Sequence, residues 1–463
     1  MRAFLQKVFI LLLVANSLGA QTRAEVEDAF KSSLSFLINS QVDSTIDGEQ
    51  YAGEWPVYME LTEAYLFIGK KQKALDSDCF TISAIHNFLA EIYMRDTSLT
   101  ELKPVLDHAY NEIKTYATGL EYNFWKPLPP DKNHKLFGTK KHIQLVRRPT
   151  NFKSKARLVQ KMMNVTNDAD DTNQANLATW YHNIIFKDTL SYASASVFEA
   201  WTDKKRQNRN WYNYLFHNKK NSGAYLTWLK EEHKYGIWTP IHSYLSVLSI
   251  FLPSSSAYPR SYEPWVPWGA NDVDPIVNAN VLTYLGQSGQ LKASPSNLGA
   301  TQMLNKMVDR EMWSTAGVYY PNAFHLPYAV ARAYKSGAKE LQPAAEKCAT
   351  FLSQIQTPNG FYFSRKWVNN RDTMQSTAYA LHALLDLKEM DIPIAIEKLN
   401  QPLRYLLNHQ NTSEEGTSWT GGIYFTGGTA LRNIINWHSD AYTTALIAGS
   451  LQRILQSDLL SPQ

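Results

Sequence analysis

Two kinds of helical segment alternate along this chain, and that alternation constrains the fold more than any other feature. Residues 442–455, around Ala445-Leu446-Ile447-Ala448-Gly449, are apolar on most faces. A helix apolar nearly all round is buried on nearly all sides. In the stretch from Gln375 to Leu385, Ala378, Leu381 and Leu385 recur at three- and four-residue spacing, which is the helical period. Residues 25–38, 341–352 and 393–407 carry a single apolar face and read as outer helices.

Between the helices a connector recurs, with a Gln near a helix end, then a Gly, then aromatic residues. Gln41 leads to Gly53-Glu54-Trp55-Pro56, Gln354 and Gln356 to Gly360-Phe361-Tyr362, and Gln410 to Gly421-Gly422-Ile423-Tyr424-Phe425. Shorter echoes are Gly236-Ile237-Trp238 and Gly317-Val318-Tyr319-Tyr320-Pro321. Glycine permits the turn that other residues resist. Each connector is followed by an Asp-bearing entry to a buried helix: Asp76 and Asp78, Asp168 and Asp170, Asp272 and Asp274, Asp372, and Asp440. Outer and inner helices alternating in this way are the mark of helical hairpins closed into a ring. The expected fold is therefore all-α, a single α/α toroid over residues 21–463. An irregular, proline-bearing insertion at about 122–165 interrupts it and is placed to line a cavity mouth.

The start of the chain reads as an export signal. Arg2 and Lys7 precede an unbroken apolar run from Val8 to Ala15, and Ser17-Leu18-Gly19-Ala20 offers small residues for cleavage. That run is too short for a membrane span, which takes about 20 residues, and no later stretch is longer. A secreted or periplasmic protein with no transmembrane segment is expected. Cys79 and Cys348 leave a disulfide open and exclude a four-cysteine zinc site.

The formal net charge is only +4, but it is uneven. Ten Lys or Arg residues, from Lys132 through Arg147 and Arg148 to Lys161, share their segment with one acid, Asp131, and a second basic run holds Lys204, Lys205, Arg206 and Arg209. Two readings stand, a solvated insertion and a patch for an anionic ligand such as a diphosphate, an acidic glycan or lipid headgroups. No nucleic-acid module is recognisable.

The chemistry concentrates in Asn167-Asp168-Ala169-Asp170-Asp171-Thr172, with three carboxylates in four residues. Crowded carboxylates hold a proton on an acid that would otherwise lose it. The lettering returns 104 residues later: Asn167-Asp168-x-Asp170 with Ala175-Asn176 matches Asn271-Asp272-x-Asp274 with Ala279-Asn280. A single Asp at a helix start is accounted for by N-capping. One residue caps a helix, however, so a second and third add repulsion without a further cap. Asp168, Asp170, Asp171 and Asp274 are thus catalytic candidates. Asp272, Trp180, Trp268, Tyr320, His325, Tyr379, His438 and Asp440 are candidates to line a substrate site. No metal spacing, phosphate-cradling loop or nucleophile elbow occurs, so neither metal nor cofactor is expected.

Gln356-x-Pro358-Asn359-Gly360-Phe361, followed by Gln375-Ser376-Thr377-Ala378-Tyr379-Ala380-Leu381, resembles the glutamine–tryptophan repeat of squalene–hopene-type cyclases and protein prenyltransferase β subunits. Asp168-x-Asp170-Asp171-Thr172 is similar to the acid motif of class II terpenoid cyclases, whose middle carboxylate protonates an alkene or epoxide. The resemblance implies an isoprenoid substrate and makes Asp170 the proton donor. The family usually carries two toroid domains and works on lipids made inside the cell, whereas this chain has room for about one and an export signal. Tyr442-Thr443-Thr444 stands where the zinc prenyltransferases would have Tyr-His-Thr, which disfavours that chemistry.

Two other functions follow from the same residues. An exported carbohydrate-active enzyme, a glycoside hydrolase or polysaccharide lyase, would use Asp170 and Asp274 as acid and base, spaced about 5–5.5 Å for retention or about 6.5–9.5 Å for inversion in a glycosidase, with Trp and Tyr stacked on the glycan. A non-catalytic toroid would bind a partner.

Overall fold

The computed structural model describes residues 23–46, 50–64, 69–128, 146–147, 151–152, 163–204, 222–232, 264–267, 271–364, 370–428 and 432–460. The expected leader over residues 1–20, most of the basic insertion, the run from Lys205 to Arg209, and Trp268 lie outside the described residues.

In chain order the helices are α1 (Arg23–Asn39), α2 (Cys79–Arg95), α3 (Leu102–Ile113), α4 (Ala169–Phe186), α5 (Ala195–Glu199), α6 (Pro275–Gln287), α7 (Asn297–Asp309), α8 (His325–Lys335), α9 (Gln342–Ile355), α10 (Asn370–Glu389), α11 (Glu397–Leu407) and α12 (Asp440–Leu455). The even-numbered helices touch in a closed circuit. Helix α2 meets α4, α4 meets α6, α6 meets α8, α8 meets α10, α10 meets α12, and α12 returns to α2. The odd-numbered helices pack outside them: α1 on α12, α3 on α2 and α4, α7 on α6, α9 on α8 and α10, and α11 on α10. The short α5 reaches α6 through Phe198, whose ring stands 5.8 Å from that of Tyr284.

Sequence patterning explains which helix goes where. Helix α2 buries 14 of its 17 residues and α12 buries 13 of 16, as all-round apolar helices must. Helices α9 and α11 bury only five residues each. Among the described residues no helix is long and apolar enough to cross a membrane. Cys79 on α2 and Cys348 on α9 are both free and buried.

The connectors have a repeated physical task, which is to satisfy helix ends. The last four carbonyls of a helix have no intrahelical partner. Trp55 donates its indole N–H to the Leu37 carbonyl of α1 at 2.7 Å, and Trp419 does the same for Leu406 of α11 at 2.7 Å. Tyr362 donates its hydroxyl to Leu352 of α9 at 3.1 Å. The connector backbone is then tied to the next inner helix. The N–H of Tyr122, Tyr225, Tyr362 and Trp419 is accepted by Thr172, Asn278, Thr377 and Thr444, respectively, at 2.9–3.0 Å. Gly360 makes the turn at φ 84°, and a Cβ there would lie 2.5 Å from the Gln401 carbonyl carbon. In the last connector this part is taken by Gly416 and Trp419, upstream of the expected Gly421.

The all-α expectation needs one correction. A four-stranded antiparallel sheet, in the order Gln72–Asp76, Val57–Leu61, Ile435–His438, Ile423–Thr426, accompanies the helices, with Met59 opposite Trp437. Val57, Met59 and Leu61 alternate inward, the period-two pattern of a half-buried strand. Short two-stranded ribbons add to it. These strands are two to five residues long, too brief for periodicity to reveal among the connectors.

Late residues of the inner helices form a buried ion network. Arg332 of α8 pairs with Glu91 of α2 and reaches His382 Nε2 of α10 at 3.3 Å. Asp386 of α10 accepts Lys335 at 2.8 Å and Arg453 of α12 at 3.0 Å. Burial pushes Asp386 up, but the charges of Arg453 and Lys335 outweigh it and hold the carboxyl far below its ordinary range.

Candidate active site

The acidic repeat is repeated in letters but not in register. In the first copy Asp168 is the N-cap of α4, its Oδ1 accepting the backbone N–H groups of Asp170 at 2.9 Å and Asp171 at 2.8 Å. In the second copy the second acid, Asp274, is the cap, because Pro275 opens α6 and favours the first helical position. The two helices are therefore offset by two residues relative to the lettering. Asp170 is released from capping and stands inside the first turn of α4, buried.

Its surroundings set its acidity. Oδ1 of Asp170 accepts the side-chain amides of Asn280 on α6 at 2.8 Å and Asn173 at 3.3 Å. With Oδ1 taken up by two amide donors, Oδ2 accepts the hydroxyl of Tyr320. Burial pushes Asp170 up to about 8; the Asn280 hydrogen bond opposes this, and the charges of Asp168 and Asp274 reinforce it. Asp170 is thus held well above the ordinary carboxylate range.

The neighbouring carboxyls have separate tasks. Burial raises Asp168 to about 6 against hydrogen bonds from the Asp171 side chain and from two backbone N–H groups. Asp171 is raised well above its ordinary value by burial and by the charge of Asp168, and its Oδ1 has no partner. Asp274 is taken up by four backbone donors. Ile276 and Val277 bond Oδ1 at 2.7 and 3.3 Å, and Val318 and Tyr319 bond Oδ2 at 2.6 and 3.1 Å. It clamps the connector before α8 onto the start of α6. Asp272 accepts the hydroxyl of Tyr319 at 2.7 Å, and that hydroxyl also receives the Trp228 indole at 3.2 Å.

Aromatic rings gather beside the acid. Phe80, in the first turn of α2, lies 5.9 Å from Tyr320, 6.1 Å from Tyr424, 5.9 Å from Phe425 and 6.3 Å from Tyr442. Phe425 also meets Tyr320 at 5.7 Å and Trp437 at 5.3 Å. His325 lies edge-on to Tyr320 at 4.4 Å and faces Tyr379 at 4.5 Å. Tyr379 and Tyr442 join their hydroxyls at 3.0 Å. These rings pack on one another.

The sequence candidates divide accordingly. Asp168, Asp170, Asp171, Asp272, Asp274, Tyr320, His325 and Tyr379 are joined by these contacts. Trp180 is not: ten residues further along α4, or about 15 Å, it packs half-buried on Tyr181 at 5.1 Å. His438 is turned to the sheet, stacked on Tyr58 at 5.5 Å and 3.4 Å from Glu60. Asp440 is exposed and clamps the Gly421 N–H at 2.6 Å. Sequence reasoning missed Asn173, Asn280, Phe80 and Phe425 as site residues. Asn280 stood in the acidic repeat, and Phe425 in a connector. Among the described residues no group of three or more His, Cys, Asp or Glu is placed to hold a metal ion.

No protein-family model matches the chain, and no curated protein matches it significantly. Solved structures do. An unliganded variant of the type II terpene cyclase MstE from Scytonema aligns with TM-score 0.50 at 12% identity, covering 94% of this chain and 98% of that one. Another structure of that cyclase, also without ligand, gives TM-score 0.49 at 13% identity over 93% and 99% of the two chains. A protein from Actinoplanes gives 0.49 at 11% over 93% and 100%. At these identities the likeness is one of fold: the chain has a terpenoid-cyclase-like fold.

Proposed function

We propose that this chain is an exported, class II terpenoid cyclase-like enzyme, with Asp170 as the acid that protonates an isoprenoid alkene. The observation that carries the reading is the fixed carboxyl of Asp170, held well above the ordinary carboxylate range. Two amides pin Oδ1 and the Tyr320 hydroxyl meets Oδ2, in a buried site walled by Tyr320, Phe80 and Phe425. Transfer breaks the Asp170 O–H bond and forms a C–H bond on the alkene, leaving a carbocation. Aromatic faces stabilise such a cation by about 2 kcal/mol each when water is excluded. Asp168 caps α4 and adds negative charge beside the acid. Asn280 and Asn173 then receive the new carboxylate. The similar fold of a type II terpene cyclase supports the same reading.

The glycan-cleaving alternative needs Asp274 as a free base, and its four backbone donors remove it from that role. A non-catalytic ring draws its support from the mutual packing of the central aromatics.

The test is a mass-spectrometric screen of the purified full chain against linear sesqui-, di- and triterpenoid polyenes, alongside Asp170→Asn. A product of unchanged mass and shifted retention is expected from the wild type and none from the variant. Equal turnover by both proteins removes Asp170 from the mechanism.

A further inference from the structure

A cation generated at Asp170 has to be discharged, and a base must take its last proton. Asp170 has just become a carboxylate held by two amides. Asp274 is consumed by backbone donors. The tyrosine hydroxyls nearby are spoken for: Tyr379 and Tyr442 by each other, and Tyr424 by Thr81 at 2.7 Å. Beside these rings stands an imidazole, His325, whose Nδ1 has no hydrogen-bond partner.

From the geometry we infer that His325 is the base that terminates the reaction, taking a C–H proton from the final carbocation onto Nδ1. The inference rests on the cyclase reading and extends it. Three observations converge. His325 is the first residue of α8, so the clamp of Asp274 on the preceding connector fixes its approach to the site. It is 2% exposed, and its Nδ1 has no hydrogen-bond partner. A buried polar atom of that kind is uncommon in a folded protein and asks for an explanation. Its walls are the rings of Tyr320, Tyr379 and Tyr328, at 4.4, 4.5 and 5.7 Å, and Tyr320 is the residue that also touches the acid. Acid and base therefore share one tyrosine as a neighbour.

Burial keeps this imidazole neutral, with its pKa pushed down to about 3, so it retains a lone pair at working pH. A weakly basic nitrogen suffices, since a carbocation is an extremely strong acid. The C–H bond breaks, its electron pair becomes the product double bond, and the proton rests on Nδ1 until solvent removes it as product leaves. Asp170 regains its own proton from solvent, so the substrate is isomerised with no net change in atoms. His86 is also buried and neutral with an orphan nitrogen. Its ring lies against Tyr110 at 6.3 Å, and its Nδ1 against Asn87 at 3.2 Å, away from the acid.

The test compares product structures rather than rates alone. Wild type, His325→Phe, His325→Gln and Asp170→Asn are incubated with each linear terpenoid polyene, and products are resolved by gas chromatography and mass spectrometry. Phe keeps the ring volume and Gln keeps a polar group, but neither is a base. Both variants are expected to go on consuming substrate while the rate of forming the wild-type olefin falls by about a hundredfold or more. Alcohols from water capture, or olefins with a displaced double bond, should replace it. The same olefin in the same proportion from either soluble variant overturns the assignment of His325 while leaving Asp170 intact. Undiminished consumption by Asp170→Asn overturns the acid and not the base. A wild type that turns over no polyene sinks both.

Discussion

Replacing Asp170 by Asn tests the state of the acid without any knowledge of the substrate. In the folded chain this carboxyl titrates at about 8, against 3.8 for an ordinary Asp. Between those limits the unfolded chain has released the proton and the folded chain still holds it. Stability therefore falls as pH rises, by about 1.4 kcal/mol per pH unit. The contribution is intact below the unfolded value, lost progressively through the window, and constant above about 8. Across some four units the full effect is about 5–6 kcal/mol as an upper bound. Asn cannot ionise, and it retains an oxygen for the amides of Asn280 and Asn173 and nearly the same shape beside Tyr320. The variant thus removes this pH dependence while keeping the local packing. Because Asp170 is neutral below about 8, its neighbours meet the same charge in both proteins, and their own titrations cancel in the comparison. Urea denaturation followed by tryptophan fluorescence, at several values between pH 5 and 7, gives the difference directly. The wild type is expected to lose about 2–3 kcal/mol more than the variant over that interval. Parallel curves for the two proteins would mean that Asp170 is ionised in the fold, and the acid would be lost with it.

Asn280→Ala removes the donor that favours ionised Asp170, so the alkaline limb of the pH–rate profile should move upward; an unmoved limb excludes this bond as a tuning contact. Trp419→Phe leaves the Leu406 carbonyl without its indole donor, and a loss of about 1–3 kcal/mol in unfolding free energy is expected with the product profile unchanged. Asp386→Asn leaves Lys335 and Arg453 with Glu389 as their remaining acid, at 2.6 and 2.7 Å, and losing the buried partner should cost up to about 3 kcal/mol at pH 7 by thermal or chemical denaturation. Its folded value is depressed, so the stabilisation exists above the unfolded value of 3.8 and fades as pH falls through and below it. The deficit of the variant should shrink correspondingly in acid. Gly360→Ala forces a left-handed backbone and a contact of 2.5 Å with Gln401, and a loss of about 1–3 kcal/mol should appear in the same assay.

Local pattern carried the helical architecture. All-round apolarity marked α12 as inner, and single apolar faces marked α9 and α11 as outer, because burial is a property each helix displays in its own residues. The connectors were legible for the same reason, since a Gly turn and an aromatic donor next to a helix end solve a local hydrogen-bonding problem. The sheet was not legible: its strands pair residues such as Met59 and Trp437 that are far apart in the chain, and no periodicity in either strand announces the other.

The site divides along the same line. From the letters alone, Asp168, Asp170 and Asp171 were a crowd of acids at a helix start, and the sequence by itself determined that they share a turn and repel one another. The shared lettering hid which of them caps the helix, because Pro275 moves the second helix start by two residues while the first begins at Ala169; what only the tertiary structure decided is what surrounds Asp170. Through it Asn280, from another helix, holds one oxygen of Asp170 and Tyr320 meets the other. The physical reason is that a carboxyl's acidity depends on what surrounds it in space. Burial and partners brought in from α6 and the α8 connector supply that, and neither can be read from the residues beside it in the chain.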